Sequence, residues 1–134
     1  MHIRLTEKGK VMAHILVVDD SPTEVHYFKN ILQKNGHEVS VANNGEEGVS
    51  MARQLVPDLI LMDVVMPVLN GFQATRQLTR DVKTSRIPVV MVTTKDQDTD
   101  KLWAERQGAR EYLVKPAKEK QLIRCINQVL QEIQ

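Results

Sequence analysis

Four places in this sequence carry side chains able to do chemistry: the acidic pair Asp19-Asp20, the single acid Asp63, the hydroxyl pair Thr93-Thr94, and the ammonium of Lys115, which Pro116 follows. Each comes directly after a short apolar run, and each has an ordinary explanation when taken alone. An Asp-Asp pair after a strand is a turn or helix-capping signal, and Asp63 can begin the turn that Pro67 continues. Lys-Pro is a strand stop, and Thr93 is a β-branched residue at a strand end. Together they mean more. If the four preceding runs are parallel strands of one sheet, three carboxylates, two hydroxyls and one ammonium collect at one edge. Neighbouring carboxylates oppose one another's ionisation unless a cation compensates them. An oxygen-only donor set calls for a hard cation, and Mg²⁺ typically takes one or two carboxylates, keeps several waters and leaves room for a phosphoryl oxygen. Zinc would call for His or Cys ligands.

The elements that must bring these residues together are readable from periodicity. From His14 onward, β-branched runs alternate with longer segments of helical period, which predicts βαβ units and a parallel sheet, five pairs in all. The first strand, His14 to Val18, ends in Asp19-Asp20-Ser21-Pro22, with Ser21 suited to cap a helix and Pro22 to its first turn. That helix runs to about Asn35, carries Val25, Phe28, Ile31 and Leu32 on one face, and stops at Asn35-Gly36. Glu38 to Ala42 is the second strand, and Asn43-Asn44-Gly45 leads into a helix with Val49, Ala52 and Leu55 that ends before Pro57. Leu59 to Met62 is apolar on both faces, as a central covered strand must be, and it stops at Asp63. A third helix after Gly71 carries Phe72, Ala74, Thr75 and Leu78; Val89 to Thr93 is the fourth strand; Lys95 to Gln107 is a helix stopped by Gly108. The last strand, Glu111 to Val114, is broken by Lys115-Pro116, and a final amphipathic helix places Leu122, Ile126, Val129, Leu130 and Ile133 along one side. In such a sheet the site lies outside the carboxyl ends of the strands, where the strand order reverses. That is where the four places fall.

Bulk properties narrow the function. A chain of 134 residues suffices for one domain with one sizeable core. Its 18 Lys and Arg against 17 Asp and Glu remove the broad basic footprint of nucleic-acid binding. The one cysteine, Cys125, cannot build a disulfide framework, and no stretch is apolar enough for a secretory signal or a bilayer span. A monomeric cytoplasmic protein is expected, with no nucleic acid and no membrane insertion among its partners. Residues 1–11 are polar and precede a second methionine, Met12, so they are read as a flexible extension, an upstream start or a tag, and residues 12–134 as a single domain.

The residues that carry chemistry match a known pattern. Val17-Val18-Asp19-Asp20-Ser21, Leu61-Met62-Asp63 followed by Met66-Pro67 and Gly71, Thr93 thirty positions after Asp63, and Tyr112-Leu113-Val114-Lys115-Pro116 resemble the receiver domains of two-component response regulators, the group that includes CheY. The resemblance runs from Ala13 to about Ile133. It implies a flavodoxin-like (βα)5 doubly wound sandwich with a parallel five-stranded sheet of order 2-1-3-4-5. It makes Asp63 the phosphoacceptor, with Mg²⁺ held by Asp20, Asp63 and the backbone carbonyl of Val65, and by Asp19 directly or through water. It implies that Lys115 reaches a phosphoryl oxygen, that Pro116 follows a cis peptide bond, and that Thr93 and the aromatic Tyr112 form the switch. The implied phosphodonor is a histidine kinase of the CheA type. The stretches Asp19 to Glu24, Asn70 to Leu78 and Thr93 to Gln97 look most like a receiver of the chemotaxis-like system that governs type IV pilus twitching motility.

The last helix runs to the end of the chain, so output is expected through binding an unidentified downstream protein. Lys101, Trp103 and Arg106 on the fourth helix, with Arg110 and Lys118 nearby, offer either a mildly basic docking face around the fourth helix, fifth strand and fifth helix or a solvated surface with Trp103 partly packed. Val65 and Lys95 border the path of attacking water and are expected to tune dephosphorylation. The alternatives are a phosphoryl sink for a shared kinase and a phosphatase with Asp63 as nucleophile. The phosphatase usually needs a second acid two positions on, where Val65 stands. An interaction module that keeps only the fold is a third class, against which the complete acidic, threonine and lysine set argues. No GxGxxG or GxxxxGK[ST] stretch follows the first strand, which weakens dinucleotide and NTP binding. His14, His26 and His37 fall on a strand start, a helix and a turn, where packing or surface roles are expected rather than a phosphotransfer histidine.

Overall fold

The computed structural model describes residues 4–5 and 11–133. Five parallel strands, β1 (His14–Val18), β2 (Glu38–Ala42), β3 (Leu59–Met62), β4 (Val89–Thr93) and β5 (Glu111–Val114), lie in the order β2-β1-β3-β4-β5. Five helices alternate with them: α1 (Pro22–Lys34), α2 (Gly45–Leu55), α3 (Gly71–Arg80), α4 (Asp98–Gln107) and α5 (Glu119–Glu132). The 2-1-3-4-5 order of a doubly wound flavodoxin-like sandwich is therefore present. A two-residue antiparallel ladder precedes β1, pairing Arg4 with Met12 and Leu5 with Val11, and no periodicity in the sequence announced it. Residues 1–3 and 6–10 of the expected flexible extension lie outside the described residues.

Apart from His14 at the start of β1 and Thr93 at the end of β4, the central strands are apolar at every position because alternate residues serve two cores. Ile15 and Val17, Leu59 and Leu61, and Val90 and Val92 face the layer built by Phe28, Leu32, Ile126 and Leu130 of α1 and α5. Leu16 and Val18, Ile60 and Met62, and Val89 and Met91 face the layer built by Ala52, Ala74, Leu78 and Ala104 of α2, α3 and α4. Register follows from this alternation, since a one-residue slip would exchange the two layers. Val18 is level with Met62, Met62 with Met91, and Thr93 with Val114, so the carboxyl ends of β1, β3, β4 and β5 come out together.

The helix starts are chemically marked. Ser21 caps α1, Asn44 caps α2 by accepting from Glu47 N–H at 2.8 Å, and Asn70 and Gln73 form a reciprocal capping box on α3. At α4 the expectation needs correction. The helix begins at Asp98, because Gln97 is extended (φ −76°, ψ 149°) and its N–H is turned to the Asp100 carboxylate at 3.3 Å, so Lys95 to Gln97 belong to the loop after β4. Gly36 (φ 88°) and Gly108 (φ 102°) supply the left-handed turns that follow α1 and end α4.

Candidate functional site

The backbone at the carboxyl edge is tied together before any side chain acts. Asp19 N–H donates to the Ala42 carbonyl at 3.1 Å, Asp63 N–H to the Val18 carbonyl at 3.0 Å, and Lys115 N–H to the Thr93 carbonyl at 2.8 Å. These bonds extend the sheet ladder by one residue past each strand, which places the functional side chains on rigid stems. Each carboxylate is then anchored locally: Asp19 Oδ1 accepts from Ser21 N–H at 2.9 Å, and Asp63 Oδ1 from Val64 N–H at 2.8 Å. One oxygen of each remains to face the cleft.

Asp19, Asp20 and Asp63 converge so that one carboxylate oxygen from each lies within 4.8 Å of the others. Asp19 and Asp63 are buried, whereas Asp20 is exposed. Lys115 joins them from β5, with Nζ donating to Asp19 Oδ2 at 2.9 Å and lying 3.7 Å from Asp63 Oδ2. The Lys115–Pro116 peptide is cis. Burial pushes the Asp63 carboxyl above its usual range; the Lys115 charge opposes that rise and the Asp19 charge adds to it. Burial also works to lower Lys115, but the hydrogen bond to Asp19 and the charges of Asp63, Asp19 and Glu24 outweigh it and hold the ammonium above its ordinary value. The ammonium is therefore firmly charged.

Three carboxylates against one ammonium leave two negative charges uncompensated. A divalent cation with oxygen preference matches both the charge and the donor set, and neither His nor Cys joins the cluster among the described residues. The residues present fit Mg²⁺. Val65, whose carbonyl was expected to complete the set, is 57% exposed on the loop after β3, with its side chain toward solvent. Two residues beyond that loop's Met66, Val68 adopts φ 71° while Leu69 N–H reaches back to the Pro67 carbonyl at 2.8 Å. This is a tight turn centred on a β-branched residue in the left-handed region, a strained arrangement beside a functional site. Gly71 closes the loop: a Cβ there would lie 2.1 Å from the Asp63 carbonyl oxygen. Only glycine lets α3 approach the backbone of Asp63 this closely.

Thr93 is fully buried at the end of β4 and its hydroxyl accepts from Lys95 N–H at 3.4 Å. The Tyr112 hydroxyl donates to the Lys95 carbonyl at 2.7 Å, and burial, with the charges of Asp100, Asp63 and Asp96, pushes the phenol up to about 12. One loop thus links Thr93 and Tyr112 through both polar groups of the Lys95 backbone. On α4, Lys101, Trp103 and Arg106 are exposed, as is Leu102 at 49%, which the sequence reading did not single out. Arg110 pairs with Glu132 at 3.0 Å. Reading the sequence also missed Glu24, whose carboxylate lies 3.8 Å from Lys115 Nζ. Its only signal was its place three residues after a helix cap, and that signal reports on capping.

His37 and Asp58 are buried at the opposite edge of the sheet, where Nδ1 of His37 accepts from Ala13 N–H at 3.1 Å and Asp58 Oδ2 from His14 N–H at 2.8 Å. His14 meets Ser40 at 2.7 Å and exposed His26 meets Asn30 at 3.1 Å, so the three histidines pack or face solvent away from the carboxylates. None of the described helices is long and apolar enough to cross a membrane.

Comparison with known proteins meets this geometry from outside. The model of the response regulator receiver domain family matches residues 15–127. Protein PilH of Pseudomonas aeruginosa is 62% identical over 119 residues, which span 89% of this chain and 98% of that protein. The DNA-binding dual master transcriptional regulator RpaA of Synechocystis is 39% identical over 105 residues, 78% of this chain but 44% of RpaA, so the likeness there reaches less than half of the larger regulator. Among solved structures, the Vibrio cholerae chemotaxis protein CheY4 superposes with a TM-score of 0.83 at 32% identity, covering 88% of this chain and 98% of that one. The receiver domain of a sensor histidine kinase from Pseudomonas aeruginosa, which carries a magnesium ion coordinated in its active-site cleft, gives 0.83 at 29% identity, covering 89% and 98%. With its carboxylate trio, lysine and buried threonine at the carboxyl edge of a 2-1-3-4-5 sheet, this chain belongs to the response regulator receiver domain family.

Proposed function

We propose that Asp63 accepts a phosphoryl group from a phosphohistidine of a CheA-type kinase and that the protein signals by binding a downstream protein in its phosphorylated form. The observation that carries this reading is the unbalanced charge at Asp63: a buried carboxylate with one oxygen anchored by Val64 N–H, the other facing a cleft that holds Asp19, Asp20 and Lys115. A carboxylate oxygen of Asp63 would form the new O–P bond as the N–P bond of the donor breaks, the leaving imidazole nitrogen taking up a proton. Asp19, Asp20 and Asp63, with the Val65 carbonyl, would hold Mg²⁺, which supplies positive charge against the phosphoryl oxygens. Lys115 contributes a point charge to the same oxygens from within 3.7 Å of Asp63.

The phosphoryl group brings charge and acceptor oxygens to the edge where Thr93 ends β4. The Thr93 hydroxyl already meets the Asp63 carboxylate and takes a long contact from Lys95 N–H, so it stands beside those oxygens, and the loop it shares with Tyr112 couples its turn toward them to the aromatic. The readout is a changed surface over α4, β5 and α5, where Trp103 and Leu102 are about half exposed. The 62% identity to PilH supports the sequence resemblance to receivers of the chemotaxis-like system that controls type IV pilus twitching motility, and we infer a cytoplasmic monomer acting there.

Intact mass after incubation with Mg²⁺ and acetyl phosphate tests the reading. A Mg²⁺-dependent phosphoryl adduct is expected on the native chain and none on Asp63→Asn. Failure to form either this adduct or a beryllofluoride complex would leave a receiver-shaped binding module.

A further inference from the structure

Helix α1 turns three side chains toward the loop that carries Lys115. Glu24, Tyr27 and Phe28, spaced i, i+3, i+4, share one helix face. The Tyr27 hydroxyl donates to the Ala117 carbonyl at 2.7 Å, pinning the loop just past Lys115. The Phe28 ring lies under the ammonium, with Nζ 5.8 Å from its centroid, and Glu24 Oε2 lies 3.8 Å from the same atom. Glu24 is itself held in place, since its backbone N–H donates to the Ser21 hydroxyl at 3.4 Å in the first turn of the helix.

Among the described residues, Lys115 thus has three carboxylate neighbours: Asp19 at 2.9 Å, Asp63 at 3.7 Å and Glu24 at 3.8 Å. Asp19 and Asp63 belong to the trio that fits a divalent cation, and Glu24 does not. Once those two serve the ion, Glu24 is the carboxylate left to the ammonium.

We propose that Glu24 is a positioning residue that holds Lys115 on the α1 side of the cleft, in competition with the phosphoryl oxygens that Asp63 would bear. The inference rests on the phosphoacceptor reading of Asp63. Glu24 sets how completely Lys115 engages those oxygens, and so how tightly the site holds a phosphoryl group. The Glu24 side chain is 37% exposed, whereas that of Lys115 is 9% exposed, so the contact is open to solvent on the Glu24 side and its effect is correspondingly modest.

Calorimetric titration with beryllofluoride in saturating Mg²⁺ separates position from charge. The native chain is compared with Glu24→Gln, which removes the charge, and Glu24→Asp, which keeps the charge and the acidic first turn but draws the carboxylate back by one methylene. Positioning predicts that both variants bind beryllofluoride more tightly, Glu24→Gln by about fivefold, the worth of a good partly exposed ion pair. Unchanged affinity in both variants, or Glu24→Asp matching the native chain while Glu24→Gln departs, overturns it. If the native chain forms no complex at all, the phosphoacceptor reading falls and this inference with it.

Discussion

The two edges of the sheet both bury polar groups, and they do so in opposite ways. At the amino edge, each buried group meets a backbone donor: Asp58 takes His14 N–H, and the neutral ring of His37 takes Ala13 N–H. At the carboxyl edge, Asp19, Asp20 and Asp63 face a single ammonium among the described residues, which leaves two charges unanswered there. Burial of polar atoms is common to both, so burial alone does not mark function. Convergence of like charges does, because it costs stability unless a ligand supplies what is missing.

The sharpest way to break this comparison is to remove the surplus. Asp63→Asn abolishes the phosphoryl adduct and raises the thermal midpoint of the metal-free protein, since the folded state holds the Asp63 carboxyl above its usual range and so disfavours its charged form at neutral pH. Added Mg²⁺ stabilises the native chain and stabilises this variant less. A lower midpoint for metal-free Asp63→Asn would contradict the charge-strain account.

Gly71→Ala attacks the scaffold of the same edge. The added Cβ would meet the Asp63 carbonyl oxygen at 2.1 Å, and relieving that overlap is expected to cost about 3 kcal/mol by denaturant unfolding. Val68→Gly runs the other way. Val68 is 73% exposed at φ 71°, so its side chain contributes little packing, and releasing it from the left-handed region should gain about 1 kcal/mol.

The pH dependence should carry opposite slopes from the two edges. Burial lowers the His37 pKa, so the unfolded chain binds the proton more readily; the stability His37 contributes is present above about 6.5 and is lost as pH falls toward its folded value. Asp63 behaves inversely: its folded pKa is raised, so the stability linked to its neutral form is present below about 3.8 and is lost as pH rises through the folded value. Unfolding midpoints from pH 7 to 5 should fall less steeply in His37→Asn than in the native chain. An unchanged slope would remove His37 from the account.

Much of this was legible in the sequence, and the exceptions are instructive. The two-sided apolar runs, the cap at Ser21, the turn at Asn43-Asn44-Gly45 and the stops at Gly36 and Gly108 each report a local physical constraint, so the strands and most helix ends could be read directly, whereas the caps made by Asn44 and Asn70 came only with the structure. The start of α4 could not, because Lys95 to Gln97 are as compatible with a helix as with the loop that Asp100 closes on Gln97 N–H. The ladder of Arg4–Leu5 with Val11–Met12 is too short to show periodicity. At the carboxyl edge, strand ends marked Asp19, Asp20, Asp63, Thr93 and Lys115, whereas Glu24 lies on a helix and meets Lys115 across 91 positions of sequence only through the fold. Asp58 stayed hidden for the same reason, and His37 was legible only as a packing or surface residue, since their partners are backbone groups that any sequence supplies.

The surplus charge at the carboxyl edge serves phosphoryl acceptance at Asp63. Borohydride reduction of the acetyl phosphate-treated protein, followed by peptide mass sequencing, tests it most directly, because an aspartyl phosphate is reduced to homoserine while a free carboxylate is untouched. Homoserine is expected at position 63 alone, and only when Mg²⁺ was present. Homoserine at Asp19, Asp20 or another acid, with position 63 unmodified, would contradict it.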